Sequence, residues 1–579
     1  MELNTRAIGE AVHPTAVFYH PSPGIEETPG SLESPSATDY TRESSWETSL
    51  LNPKNRIDSL DLPQNPLWRV DGCTGLGTQY YVIPLFLRRI PPIRMDVFVS
   101  DFQPTFIREQ LELDRAFHTK DGVRLPRLAI ARHIIRILQR WTMNEYQDLA
   151  SFETFYKGVP FGSRLVLENM SLDTRQVRIK VGLNHNLEHK LLPISALASF
   201  WGEEFPFPRV VDFFDLHVIS VLHDSVSLVQ IDGQICIFKA LTSGAKYLYH
   251  ELKTLCTIEP HPNVIARPMH VVTKRCNFGT KRAVAGFTTF YHSKGTLRDV
   301  LPLLRAHGRL ERVDQLKWSI QLTEALKHLK TRSGTYYPDL RLDNIVLSKT
   351  SDVVMVDFEQ RGVWCEFAAP EVNAIEYVHL IATDECVSEV VSEKYRKMLQ
   401  RLVPEYESLE GERYTNPEDG FNLPWIALNA AEQEAAEVYM LGRVLWCIFE
   451  GVSGPQKAAV WQSYRWEPEL EFPQYRRTPS AMRALIDECT RGRRGTLSNV
   501  VIRRHSQLLL TNKAPHEQSA VDVKEAAKRF WSTEIEVAEK FLELRDSQRR
   551  KGEWDGNYYQ RPTLTQVLEA LKAFQNENP

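Results

Sequence analysis

The chain has 579 residues, 42% of them apolar and 25% charged, which is ordinary for a globular protein with room for two to four domains. Seventy basic residues against 74 acidic ones leave a net charge of −4, which argues against a dedicated nucleic-acid binder. No apolar run reaches the ~18–20 residues that cross a bilayer. The longest, Tyr80 to Leu87, contains a proline and stops at Arg88-Arg89.

The first ten residues show no basic stretch followed by an apolar one, so no signal peptide is expected. Eight cysteines occur without a C-x-x-C pair, which predicts reduced thiols and neither a zinc site nor a disulfide framework. The expectation is an intracellular protein, cytoplasmic or nuclear, with no membrane partner.

Residues 1–66 hold eight prolines with many Ser, Thr and Glu, and read as a disordered tail. Ser22-Pro23, Thr28-Pro29 and Ser34-Pro35 have the form of proline-directed phosphosites, although an unmodified tail fits equally well. Residues 67–209 read as a folded accessory region of mixed α and β character. Ile107 to Met143 has helical spacing, as in Ile130, Ile134, Ile135 and Leu138, while Arg164–Glu168 and Gln176–Val181 read as strands. No catalytic grouping is visible there, and a structural or interaction role is expected.

After Pro206 and Pro208 the pattern changes. Val218–Leu222, Ser227–Ile231 and Gln234–Ala240 read as strands, the last two joined by the turn signal Asp232-Gly233. Tyr247 to Ile258 reads as a helix. From about residue 296 onward the pattern is mainly helical, over Thr296–Ala306, Asp314–Thr331, Ala431–Phe449, Pro479–Cys489 and Thr563–Phe574.

A set of short motifs then falls in a fixed order. Lys239 closes the strand Ile-Phe-Lys, and Glu251 lies on the next helix. Tyr336-Tyr-Pro-Asp-Leu-Arg-Leu-Asp-Asn344 places Asp339 five residues before Asn344, and Asp357-Phe-Glu follows 18 residues after Asp339. Ala369-Pro-Glu371, Leu441-Gly442 and Arg561-Pro-Thr complete the order. Across residues 210–576 this resembles the eukaryotic protein kinase family. The whole chain is similar to divergent, fungal-type members of that family.

The resemblance implies an α+β, bilobal fold: a small antiparallel β lobe with one helix, then a larger helical lobe, preceded by the accessory region. It implies insertions near 378–430 and 495–555. It implies ATP and Mg2+ as cofactors, with Lys239 on the phosphates, Glu251 orienting it, and Asn344 and Asp357 as metal ligands. Asp339 is implied as the proton acceptor and Arg341 as a cation near the γ-phosphate. Thr289, Phe290 and Tyr291 are implied to meet adenine. Glu437 stands where the family has Asp, in reach of the catalytic-loop backbone.

Several positions depart from the family. Leu222 to Val229 has no glycine, and Asp224 brings a negative charge. Tyr337 and Pro338 replace the histidine and arginine before Asp339. Glu359 replaces a glycine, and Phe358 to Pro370 contains no Ser, Thr or Tyr to phosphorylate. Three functions are compatible with this: a protein Ser/Thr kinase, a pseudokinase scaffold, and a small-molecule kinase of the phosphotransferase superfamily. Neither the protein substrate nor a binding partner is specified.

Overall fold

Backbone groups on strands need partners, and the apolar runs before residue 210 find them in a five-stranded sheet. The computed structural model describes residues 65–73, 78–100, 103–113, 125–277, 279, 281–363, 365–384, 387–455, 470–504, 507–514 and 517–577. Most of the Ser/Pro-rich tail, its three Ser/Thr-Pro sites and Cys386 lie outside them. The chain is of mixed α+β type, with sheets in which antiparallel pairing predominates and sixteen α-helices among the described residues.

The first sheet has strands β1 (Trp68–Cys73), β2 (Gln79–Pro84), β3 (Met95–Val99), β4 (Ser163–Glu168) and β5 (Arg178–Gly182), in that order. The run from Tyr80 supplies β2, which Pro84 ends. The single parallel pair, β3 with β4, is where the helices cross over. These are α1 (Thr105–Gln110), α2 (Ala129–Glu145) and α3 (Leu149–Gly158). The helical spacing between Ile107 and Met143 thus belongs to two helices, with residues 114–124 outside the described set. Helix α2 turns Ile130, Ile134, Ile137 and Leu138 inward. Trp68 sits at the centre, with its indole N–H donating to Thr142 Oγ1 at 2.9 Å and its ring edge-on to Phe152.

Two short helices, α4 (His185–Lys190) and α5 (Ile194–Trp201), lead to the second sheet. It contains β6 (Arg209–Asp212), β7 (His217–Val221), β8 (Val226–Ile231), β9 (Gln234–Lys239), β10 (His270–Arg275) and β11 (Arg282–Phe290). Their order is β6-β10-β11-β9-β8-β7. The expected strands are present, with one correction: β6 adds a parallel edge strand beside β10, so this sheet starts at Arg209 and is not purely antiparallel. Asp232 and Gly233 both adopt positive φ in the hairpin turn between β8 and β9. Helix α6 (Ala245–Thr257) lies between β9 and β10 in the chain.

The helical part contains α7 (Leu297–Ala306), α8 (Arg312–Arg332), α9 (Pro370–Thr383), α10 (Glu389–Leu402), α11 (Tyr406–Glu410), α12 (Leu423–Ile426), α13 (Ala430–Glu450), α14 (Ser480–Cys489), α15 (Ala520–Lys551) and α16 (Leu564–Glu577). Two small antiparallel pairs interrupt it, β12 (Ile345–Leu347) with β13 (Val353–Met355), and β14 (Val501–Arg504) with β15 (Gln507–Leu510). Helix α13 is buried almost along its whole length. It begins in a capping box of Asn429 and Glu432. Gly442 lets α14 approach, since a Cβ there would stand 2.7 Å from that of Cys489. One continuous apolar core runs from Trp68 to Leu571, so the region 67–209 shares its core with the rest of the chain.

Residues 491–561 form an excursion that starts and ends at one place. Arg561 Nε donates to the carbonyl of Arg491 at 3.0 Å, 70 positions away. Helix α15 carries the excursion for 32 residues and presents Val523, Ala527, Trp531, Ile535, Ala538 and Leu542 on its inner stripe. It runs alongside α9. At the end of that stripe Arg545 is buried, with Nε 2.6 Å from Glu432 Oε1 and Nη2 2.7 Å from Oε2. Trp554 donates to the same carboxylate at 2.8 Å.

A buried ion pair broken on one side leaves an uncompensated charge. Arg545→Met is therefore expected to lower the unfolding free energy by ~3–5 kcal/mol. Arg545→Met with Glu432→Gln is expected to recover most of that loss, which urea titrations of the three proteins would measure.

Candidate functional site

The motif residues come from separate elements and meet between the second sheet and the helical part. Lys239 is the last residue of β9 and is 6% exposed. On β11, Gly286, next to Lys239's register partner Phe287, leaves no side chain where a Cβ would strike the Lys239 carbonyl. The Lys239 ammonium contacts three carboxylates: Glu251 of α6 at 2.6 Å, Asp357 at shorter range, and Glu359 at 3.6 Å. Glu251 also accepts the Phe358 N–H at 2.9 Å, tying α6 to the segment that carries Asp357.

Asp339 lies on the neighbouring loop. Asn344 Nδ2 donates to its Oδ2 and to its backbone carbonyl, each at 3.0 Å. Arg341 Nε lies 3.1 Å from the same Oδ2. The Val356 N–H donates to the Asn344 carbonyl at 2.9 Å, which sets Asn344 beside Asp357. Six of the nine expected site residues are thereby joined in two linked clusters. Thr289 and Phe290 end β11 and Tyr291 follows; Thr289 is buried and Phe290 is 43% exposed. Among the described residues these three make no hydrogen bond to the charged clusters.

Asp357 has φ +67°, a conformation that costs a non-glycine residue energy and persists only when its surroundings enforce it. Tyr337 is one such restraint. Its hydroxyl donates to the carbonyl of Val356 and, at 3.2 Å, to that of Asp357, and its ring meets Phe358 edge-on. Glu437 anchors the other side, accepting the Tyr337 N–H at 2.8 Å.

Burial and charge set the protonation states. Burial opposes the Lys239 ammonium, yet Asp357, Glu251 and Glu359 outweigh it and raise its pKa. Burial pushes Glu251 up to about 7 against the pull of Lys239, with Asp357 and Glu359 adding to the rise. Burial lifts Asp339 to about 6; Asp357 adds to this, while Arg341 and Asn344 oppose it. Asp357 is itself withdrawn from water, but Lys239 and Arg341 hold its carboxyl below the ordinary value. Glu437 is pushed up to about 8 by burial, and only its bond from Tyr337 acts strongly against that.

Among the described residues, no group of three or more His, Cys, Asp or Glu side chains is arranged to hold a metal ion alone. Asp357 and Asn344 nevertheless carry hard-oxygen side chains on neighbouring, hydrogen-bonded segments. That donor set suits Mg2+, which usually takes one or two protein oxygens and completes its shell with water and phosphate.

One functional contact had no signal in the sequence. The turn after β7, residues 222–225, is clamped by the first sheet. Arg94, just before β3, is 8% exposed and has φ +64°. Its Nη1 donates to the His223 carbonyl at 3.0 Å and to that of Asp224, while its Nε pairs with Asp96 at 2.9 Å. Nearby, Val221 N–H donates to Asp71 at 2.8 Å and Arg69 donates to the Ile219 carbonyl at 2.6 Å. The clamped turn faces the charged cluster: His223 lies where it helps lower Asp357, and Asp224 where it helps raise Glu359. Burial opposes ionisation of Asp224, but His223, Arg94 and Arg361 keep its carboxyl below the ordinary range.

No model of a known protein family matches the chain, and no curated protein resembles it closely enough to count as a match.

Arg94→Gln is expected to speed amide hydrogen exchange across residues 222–226 while leaving β9 protected, because it removes two carbonyl contacts at the turn and none in β9. Glu437→Gln keeps an acceptor for Tyr337. The folded state holds the Glu437 proton up to about pH 8 and the unfolded state releases it near its ordinary value, so the wild type loses stability as pH rises between the two. Glu437→Gln escapes that loss. Urea midpoints of the two proteins are expected to agree at low pH, to separate in favour of the variant as pH rises from the ordinary carboxylate range to about 8, and to keep that gap above it.

Proposed function

We propose that this chain is an ATP-dependent phosphotransferase of protein-kinase type, acting on a protein Ser/Thr hydroxyl and built on a bilobal kinase-like fold. The observation that carries this reading is the buried Lys239 ammonium held by Glu251 and Asp357, the latter 118 positions away, with the Asp339–Asn344 pair beside it. A phosphoryl group in transit needs positioning and neutralisation of charge more than covalent help. Lys239 supplies a fixed cation for phosphate oxygens, and Glu251 restricts where it points. Asp339 accepts the proton of the attacking hydroxyl, and Arg341 offers a second cation next to it. Asp357 and Asn344 would hold Mg2+, which supplies neutralisation of the phosphate charge when bound. Thr289, Phe290 and Tyr291, at the end of β11, would meet adenine.

The second reading is a pseudokinase scaffold, and the clamped turn favours it. The turn holds Asp224 where a glycine-rich segment would let backbone N–H groups approach phosphate. In that reading partner binding is indifferent to Lys239→Met, provided the variant folds.

Transfer of labelled phosphate from ATP to protein separates the two. Asp339→Asn and Asp357→Asn are each expected to lower the rate by at least a hundredfold. Wild-type rates in both variants would overturn the enzymatic reading. Asp339 must be ionised to accept a proton. The rate constant kcat/KM is therefore expected to rise about tenfold per pH unit up to about pH 6 and to level off above it. ATP with Mg2+ at ~100 times Kd is expected to add about 2.7 kcal/mol to stability, and no response at millimolar concentration would favour the scaffold.

A further inference from the structure

A cavity of about 390 Å3 lies away from Lys239, between α9, α13 and the excursion 491–561. One wall is the stretch from Cys365 to Tyr377, the facing wall is α15, and Gly492 to Ser498 closes one side. Its volume is that of a small-molecule site. Tyr377, Tyr439, Phe530, Trp531 and Tyr559 contribute aromatic surface.

The polar groups in this lining are unevenly satisfied. Arg443 of α13 lines the cavity and is 4% exposed. Its Nη2 donates to Tyr439 Oη at 2.8 Å, and its guanidinium lies over the rings of Tyr439 and Phe472. Its Nε and Nη1 are buried with no acceptor, and it forms no ion pair with a carboxylate among the described residues. Trp531 of α15 also lines the cavity, is 7% exposed, and has a buried indole N–H without an acceptor. Neither set of donor atoms faces open space, so each side chain must turn toward the cavity to meet a ligand oxygen, and such a contact would restore the free energy that an unbonded donor costs.

The other charges narrow the ligand. Arg493 is paired with Asp487 at 2.8 Å and Arg494 with Glu534 at 2.7 Å. Glu366 adds a negative charge to the lining. One unpaired cation beside an acidic neighbour suits a single negative charge and disfavours a phosphate dianion. Aromatic walls suit a flat apolar body.

We propose that this cavity is a binding site for a small aromatic carboxylate, with Arg443 and Trp531 donating to the carboxylate and the aromatic side chains enclosing its body. The site does not depend on phosphoryl transfer. It would act on the chain through the Cys365–Tyr377 stretch, which forms one wall and follows the segment holding Asp357 and Glu359.

The test is isothermal titration of the full chain with 2-naphthoate, its neutral isostere 2-naphthamide, and inorganic phosphate. Saturable binding of 2-naphthoate is expected, at least tenfold tighter than either of the others. Arg443→Gln is expected to weaken naphthoate at least tenfold and to bring it level with the amide. Trp531→Phe keeps the bulk, removes only the donor, and is expected to weaken naphthoate several-fold; it serves if Arg443→Gln fails to fold. Three results would each overturn the proposal: no saturable naphthoate binding at millimolar concentration, equal binding of acid and amide, or naphthoate affinity unchanged in a folded variant.

Discussion

A single buried ammonium organises the centre of this molecule. Glu251, Asp357 and Glu359 come from α6 and from the strand end after β13, and in a low-dielectric interior they would repel one another. Lys239 makes their proximity possible, and each carboxylate in turn makes a buried lysine tolerable. A buried pair of this kind contributes little net stability compared with an apolar core, but it permits few alternative arrangements. The second sheet, α6 and the loops of the helical part therefore meet in one geometry.

Much of this was legible in the sequence, for identifiable reasons. The strands from 217 to 239 announce themselves through alternation and the Asp232-Gly233 turn, both local signals. Lys239, Glu251, Asp339, Asn344 and Asp357 were found because their order and spacing match a known pattern, and the structure joins them by direct contacts. The register of β1 to β3 was not readable, because Trp68 finds its partner Thr142 only once α2 packs on β1. The contacts of Arg94 span 129 and 130 positions, a separation at which one sequence gives no cue. Tyr337 reads as a lost histidine, but its phenol reaches the backbone carbonyls that flank the Asp357 Cα, which no spacing argument contains.

The region 67–209 and the excursion 491–561 have similar effects at opposite ends of the chain. The first ties down the turn above the charged cluster through Arg69, Asp71 and Arg94. The second lies along α9, close to the segment that continues from Glu359. Both replace freedom of a loop with packed, hydrogen-bonded contact. Segments of this sort are commonly among the least stable of a fold, and here they are built into its core.

The tie between Arg491 and Arg561 has a consequence for how such a chain could have arisen. Because the two ends of the excursion meet, the intervening length need not alter how α14 sits on α13 or α16 on α8. Closing a longer loop costs free energy only logarithmically in its length. Seventy residues could be gained at that point in one event, or lost again, without re-registering the helices on either side. The excursion is fastened at a single address, and the face of α9 that it covers would be open without it.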